Sequence, residues 1–181
     1  LNTYFGQLIN LINDYGGDIV KFAGDAVLAI WPLATGQEEA TVLQAVQCAL
    51  TAQRLLAGFE AGEETLSLRM GVGVGEVMVQ HLGGEYGRWH VLVAGDVVAQ
   101  VAEVERQAEP GQVILSTQLW ELVREACEVR PTLNGAWRVE TVREPQPPQA
   151  LVRPPLYNEA FAGMQAFVPG AILTRLAAWQ T

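Results

Sequence analysis

The chain has 181 residues, half of them hydrophobic, enough to bury the core of one domain with some sequence left over at an end. Its 11 basic and 20 acidic residues leave a net charge of -9, which argues against general affinity for nucleic-acid backbones or anionic membrane surfaces. A polyanion bound here would need a metal or a small local site to offset that charge. No run approaches the roughly eighteen apolar residues of a membrane span, and no basic stretch precedes an apolar one at the start, so neither an anchor nor a signal peptide is read. Cys48 and Cys127 lie far apart among apolar residues, without CxxC or Cys/His ligand spacing, which predicts reduced thiols and a cytoplasmic protein.

Leu1, Tyr4, Phe5, Leu8, Leu11, Ile12 and Tyr15 recur at the steps of one helix face, and Gly16-Gly17 supplies the stop. A chain that opens inside an apolar stripe without a cap is expected to have native sequence ahead of Leu1. Asp18 to Ala23 and Ala26 to Trp31 are short apolar runs around Gly24-Asp25 and predict a hairpin with Asp25 at its tip, closed by Pro32. A helix is expected from about Glu38 to Phe59, because Val42, Ala45, Val46, Ala49, Ala52 and Leu56 share a face and Glu38-Glu39 suits the positive end of the dipole. Leu66 to Gln80 alternates Leu68, Met70, Val72 and Val74 with Arg69, Gly71, Gly73 and Gly75, a strand with one nearly bare face on which something must pack closely. Val91 to Ala94 reads as a strand, Gly95 as a turn, Val97 to Gln107 as a helix ended by Glu109-Pro110-Gly111, and Gln112 to Ser116 as a strand. Thr117 resembles an N-cap for a helix carrying Leu119, Trp120, Leu122 and Val123, and Trp137 to Val142 predicts a last strand.

Pro145, Pro147, Pro148, Pro154 and Pro155 then mark a linker, so the domain is expected to span residues 1–143, with a Pro-rich linker and docking segment over 144–181. Within the latter, Pro169 can begin a helix bearing Ile172, Leu173 and Leu176 in the apolar stretch Phe161 to Ala178. The element order predicts a two-layer α+β sandwich with a mainly antiparallel sheet. One more strand before Leu1 would make it the ferredoxin-like βαββαβ arrangement, with its first strand missing from this chain.

The string from Gly16 to Trp31, Gly-Gly-Asp-Ile-Val-Lys-Phe-Ala-Gly-Asp-Ala-Val-Leu-Ala-Ile-Trp, resembles the central hairpin of class III adenylate/guanylate cyclases, most closely the first catalytic half of soluble adenylyl cyclases. Arg69-Met-Gly-Val-Gly-Val-Gly-Glu-Val is similar to that family's glycine-rich strand, and the Val91 to Asp96 turn followed by Gly111-Gln-Val-Ile-Leu-Ser116 keeps the order to about Val142. Phe167-Val-Pro-Gly-Ala-Ile-Leu-Thr-Arg-Leu-Ala is similar to the link joining two cyclase halves in bacterial relatives.

The resemblance implies conversion of ATP to cyclic AMP and pyrophosphate. Charge that develops on the attacking and leaving oxygens there is held by two divalent ions, Mg2+ or Mn2+. Asp25 matches the second of the family's two metal-binding aspartates, and the first belongs to the absent strand. Lys21, Gly24 and Val93 match nucleotide- or anion-binding positions, and Lys21 matches a first-half pocket associated with bicarbonate. The arginine of that pocket falls on Ala102, and the transition-state asparagine and arginine fall on Ala99 and Glu103. The expected partner is therefore a second cyclase half, in cis or as a dimer, that completes the site.

Read from residues alone, Asp25 is a hairpin-turn aspartate satisfying nearby backbone N–H groups, and Lys21 is equally a solvated strand-edge lysine. Asp18 reads as a strand-start residue. Gly83-Gly-Glu-Tyr-Gly87 lacks the Gly-Lys-Ser/Thr ending of a phosphate loop, and His81 and His90 have no ligand spacing. Trp31, Trp89, Trp120, Trp137 and Trp179 read as core or interface anchors. Three functions compete. They are a cyclase half-domain, a non-catalytic cyclase-like regulatory or dimerisation module, and a cyclic-dinucleotide synthase. The last is ranked lowest because Ile19 and Val20 follow Gly16-Gly17-Asp18.

Overall fold

The computed structural model describes residues 2–61, 64–132, 134–150, 163–169 and 172. It divides into two compact units, one of Leu1–Val77 with Gly95–Val152, the other of Met78–Ala94 with the C-terminal stretch from Arg153.

The first unit opens with α1 (Asn2–Asp14), which buries Tyr4, Leu8 and Ile12 and is closed by a hydrogen bond from Gly17 N to Ile12 O at 2.8 Å. β1 (Asp18–Ala23) and β2 (Ala26–Ile30) then pair antiparallel, Ala23 opposite Ala26, with an irregularity between Ile19 and Lys21. α2 (Glu38–Leu56) carries Glu38 and Glu39 in its first turn and Arg54 in its last, as the helix dipole favours. β3 (Phe59–Ala61) and β4 (Glu64–Leu66) form a small hairpin, and β5 (Met70–Val72) follows.

Between β5 and the next element of the first unit, the chain forms the hairpin of the second unit, β6 (Met78–Gly83) and β7 (Trp89–Ala94), antiparallel with Met78 opposite Ala94. A 3-10 turn, Glu85–Gly87, joins its strands. Met78, Val79, Leu82, Val91 and Leu92 are all exposed, while the His81 ring meets Phe167 edge-on at 5.5 Å.

The first unit resumes with α3 (Asp96–Gln107), β8 (Val113–Leu115), α4 (Thr117–Val123), β9 (Cys127–Pro131) and β10 (Trp137–Val142). Its main sheet has the order β5-β8-β10-β9, with β5 parallel to β8 and the other neighbours antiparallel. Val42, Leu43, Val46 and Ala49 of α2 and Leu119 and Val123 of α4 pack with Val113, Leu115, Val139 and Val142 to form the core on one side. A second cluster joins α1 to α2 through Tyr4, Leu8, Ile12, Cys48, Ala52 and Leu56, and gathers Ile19, Val27, Ala29 and Trp31 of the first hairpin. Gln53, buried on α2, donates from Nε2 to Leu68 O and Gln112 O, both at 3.0 Å, tying the approaches of β5 and β8 to the helix.

The α+β class and the mainly antiparallel pairing follow the sequence reading. What lies against the bare face of β5 is α3. A Cβ placed on Gly71 would stand 2.5 Å from Val101 O and 2.8 Å from Glu105 N, and one on Gly73 would stand 2.8 Å from Val101 Cγ2. Ile114 joins Val104 and Ala108 on that same side, so helices cover both faces around β5 and β8.

Other expectations need correction. The single strand read over Leu66 to Gln80 is three strands, because Gly73 to Val77 runs under α3 without a strand partner. The second helix ends at Leu56, and Gly58, at φ +72°, turns the chain into β3. The cap of α4 is Ser116, whose Oγ accepts from Leu119 N at 3.3 Å, while Thr117 is the first helical residue. Of the helix expected from Pro169, Pro169 and Ile172 are described, with Ile172 N donating to Pro169 O at 2.8 Å, while Leu173, Leu176 and Trp179 lie outside the described residues; within 163–169 there is a 3-10 turn, Gln165–Phe167. Among the described residues no helix is long and apolar enough to cross a membrane.

The α3 contact is made by backbone, which cannot swing aside as a side chain can. Gly71→Ala should therefore lose about 3 kcal/mol of stability in urea unfolding, with Gly73→Ala, which meets a Val101 methyl, losing less. Equal stability of Gly71→Ala and the parent would show that α3 is free to shift.

Candidate functional site

The first hairpin is held rigidly at its base. Trp31 Nε1 donates to Tyr15 O at 2.9 Å, and the indole lies so close to Gly17 that a Cβ there would stand 2.6 Å from its ring. Ile19, Val27 and Ala29 pack inward against the α1–α2 cluster, and Phe22 meets Phe5 edge-on at 5.9 Å. Asp18 Oδ1 accepts from Ile19 N at 3.0 Å, as a strand-start residue does. At the far end Gly24 turns with φ +66° and has no other atom within 4 Å of where a Cβ would stand, so the approach to the tip is open. Asp25 follows it and is exposed, and Lys21 is exposed on β1 opposite Leu28. No ion pair among the described residues engages either side chain.

The substituted positions come together on α3. Val97 and Val104 are buried and Val101 faces Gly73, which leaves Ala99, Ala102 and Glu103 exposed on the opposite side of the helix. Glu103 is not a bare carboxylate. Arg106, one turn on, pairs with its Oε2, and Gln107 Nε2 donates to its Oε1 at 3.0 Å. The i,i+3 spacing of Glu103 and Arg106 could have signalled the pair. Arg69, preceding β5, pairs with Glu105 of α3 at 2.6 Å. Val93, the remaining expected contact, is half-buried in β7 opposite Val79, in the second unit.

Asp25 offers one hard carboxylate oxygen of the kind a magnesium or manganese ion takes. Among the described residues no group of three or more His, Cys, Asp or Glu side chains is placed to hold a metal ion.

The model of the adenylate and guanylate cyclase catalytic domain matches residues 1–146. The chain belongs to that family. It is 34% identical over 123 residues to adenylate cyclase type 10 of Oryctolagus cuniculus, a match covering 67% of this chain and 8% of that protein. Its fold is that of the adenylyl cyclase CyaB from P. aeruginosa, with a TM-score of 0.66, 21% identity and coverage of 80% and 82% of the two chains. The guanylate cyclase domain of RhGC from Catenaria anguillulae, solved in complex with GTP, is as similar in fold, with a TM-score of 0.66, 19% identity and coverage of 78% and 82%. This cyclase domain thus spans less than a tenth of the length of the type 10 relative it matches.

Both cysteines of the cyclase domain are free and buried. Burial pushes the Cys48 thiol up to about 12, with the Asp14 carboxylate adding to it, and burial pushes Cys127 up to about 11 against the opposing Arg143. Both should resist a thiol reagent at pH 8 until the chain unfolds. A raised thiol pKa means that the folded state holds the proton longer than the unfolded one. The contribution is whole below the ordinary thiol value of 9.0 and is lost as pH rises through about 12. Stability should fall across that window, and Cys48→Ala should flatten the slope, leaving the parts from buried Cys127 and from buried Tyr4, whose phenol is raised as well.

Proposed function

We propose that this domain is one half of an adenylate cyclase that converts ATP to cyclic AMP and pyrophosphate, contributing Asp25 to a composite site completed by a second cyclase half. The observation carrying this reading is the Gly24-Asp25 tip, an exposed carboxylate without an ion-pair partner among the described residues on a hairpin fixed at its base by Trp31. Divalent ions, when bound, neutralise the triphosphate and the charge that develops on the attacking and leaving oxygens. Asp25 would hold one such ion by its oxygens, and the open space beside Gly24 lets phosphate approach without a side-chain clash. Lys21, on the same hairpin, adds a cation toward an anionic ligand. The reading assigns the family's other metal-binding aspartate, the first of the two, to another part of the parent chain.

A half-site explains α3. Its exposed face carries Ala99 and Ala102, which can neither donate a hydrogen bond nor bear charge, and Glu103, whose charge Arg106 and Gln107 already engage. Two copies of this domain would lack the transition-state donor and cation of the family at both sites, whereas a second half of different sequence supplies them once. ATP is preferred to GTP because the relative above 30% identity is an adenylate cyclase. The family's dependence on divalent metal and its pairing of domains support the metal and the second half; the proposal further includes a ferredoxin-like frame, a domain over 1–143 with a linker and docking segment over 144–181, and a cytoplasmic setting. A second reading, a cyclase-like module that binds nucleotide or a partner without turnover, is favoured by the same substitutions at Ala99 and Glu103.

Asp25→Asn in the parent protein should abolish metal-dependent cyclic AMP production while leaving the melting temperature nearly unchanged, because an exposed turn residue is replaced by one of the same shape. Production near the unmutated rate would remove Asp25 from the site. The 181-residue chain alone should make no measurable cyclic AMP. Turnover that rises with the concentration of the unaided chain would overturn the half-site, and metal-dependent ATP binding that never yields product, even with a second half added, would select the non-catalytic reading.

A further inference from the structure

Gln44 and Gln47 stand one turn apart on α2 and are 8% and 5% exposed, unusual burial for side-chain amides. Both reach the segment that follows β10, about a hundred residues later in the chain. Gln47 reads a single residue twice: its Nε2 donates to Gln146 O at 3.1 Å and its Oε1 accepts from Gln146 N at 2.7 Å. Gln44 Nε2 donates to Pro147 O at 2.9 Å, but its Oε1 is buried without a hydrogen-bond partner. The two halves differ for a covalent reason. Gln146 presents an N–H and a C=O, whereas Pro147 presents only a C=O, so the Gln44 amide can satisfy its donor side and has nothing to accept from.

We propose that Gln44 and Gln47 form a backbone-reading seat on α2, occupied by residues 146–147 of this chain, that fixes where the polypeptide departs after β10. The occupant suits the seat. Gln146 precedes a proline, which confines it to the extended region in the free chain as well, so little conformational freedom remains to be lost on docking. Side-chain identity matters little, since every contact is to backbone and Gln146 points its own amide back to Glu144 O. Register matters a great deal. The Gln47 position demands a residue with an N–H, whereas the Gln44 position accepts proline. All the groups are neutral, so the seat should hold equally at low and high salt and across the physiological pH range. It lies apart from the hairpin tip and does not depend on the cyclase reading.

Hydrogen exchange of the Gln146 amide in the 181-residue chain tests this. Protection is expected, and Gln47→Leu should speed exchange at Gln146 roughly tenfold, the loss of about one net hydrogen bond, while the Ile114 amide in β8 keeps its rate. An unprotected Gln146 amide in the unmutated chain, or the same rate in Gln47→Leu, overturns the proposal. Equal acceleration at Ile114 also overturns it, because the glutamines would then be ordinary core residues. Gln146→Pro, a change on the exposed segment that leaves α2 intact, supplies the second arm. Tryptic cleavage after Arg143, normalised to a free peptide of the same sequence, should rise roughly tenfold, and an unchanged rate sinks the seat. A strong dependence of Gln146 protection on salt would point to charge rather than amides and count against it equally.

Discussion

The seating of α3 on the glycine face of β5 is a backbone-to-backbone approach on which the orientation of Ala99, Ala102 and Glu103 depends. At Gly71 the helix backbone lies nearer than any side chain would permit, with Val101 O 2.5 Å from the position a Cβ would take. That contact fixes the rotation of α3 about its axis. With Val97, Val101 and Val104 committed to the sheet side, Ala99, Ala102 and Glu103 have no choice but the exposed side, and the Arg69–Glu105 pair resists slippage along the helix. The same face buries Ile114 with Val104, so the parallel pair β5–β8 is packed from both directions. Sheets containing parallel pairs are characteristically covered in this way.

The first hairpin follows a different plan, firm at the root and free at the tip. Its root is a mutual arrangement in which Gly17 makes room for the Trp31 indole and the indole caps the Tyr15 carbonyl at the end of α1. Lys21 sets a cation on the exposed side of the hairpin in a chain whose overall charge is -9. On α3, Arg106 pairs with Glu103 and offsets its charge.

Much of this arrangement is legible in the amino-acid order because it rests on local signals. The two-residue Gly24-Asp25 turn between apolar runs, the helix face of Val42, Val46 and Ala49, and the alternation of Gly71, Gly73 and Gly75 each have one dominant physical reading. What escaped depends on partners distant in sequence. β9 shows no alternation strong enough to declare itself and exists because β10 offers Cys127 and Val129 a partner edge. The β3–β4 hairpin is hidden where a helix pattern grades into a strand pattern, and the choice between Ser116 and Thr117 as cap turns on one residue of register. Gln44 and Gln47 look like ordinary polar residues on an amphipathic helix, since nothing nearby in the sequence announces the segment a hundred positions on that makes their burial tolerable. At the candidate site, the hairpin position of Asp25 and Lys21 was readable from the apolar runs around Gly24-Asp25, whereas the engagement of Glu103 needed the structure.

The parallel pairing of β5 with β8 obliges the chain to travel from one end of these strands back to the other, and here that return journey contains the entire β6–β7 hairpin as well as α3. The entropy of closing such an excursion grows only with the logarithm of its length, about 0.6 kcal/mol for each doubling. Once the crossover exists, lengthening or shortening the excursion by a hairpin changes the stability of the pairing very little. The β6–β7 segment is therefore the stretch of this domain most open to evolutionary remodelling, where insertions, deletions and new surface chemistry can accumulate while the strands that flank it stay in register.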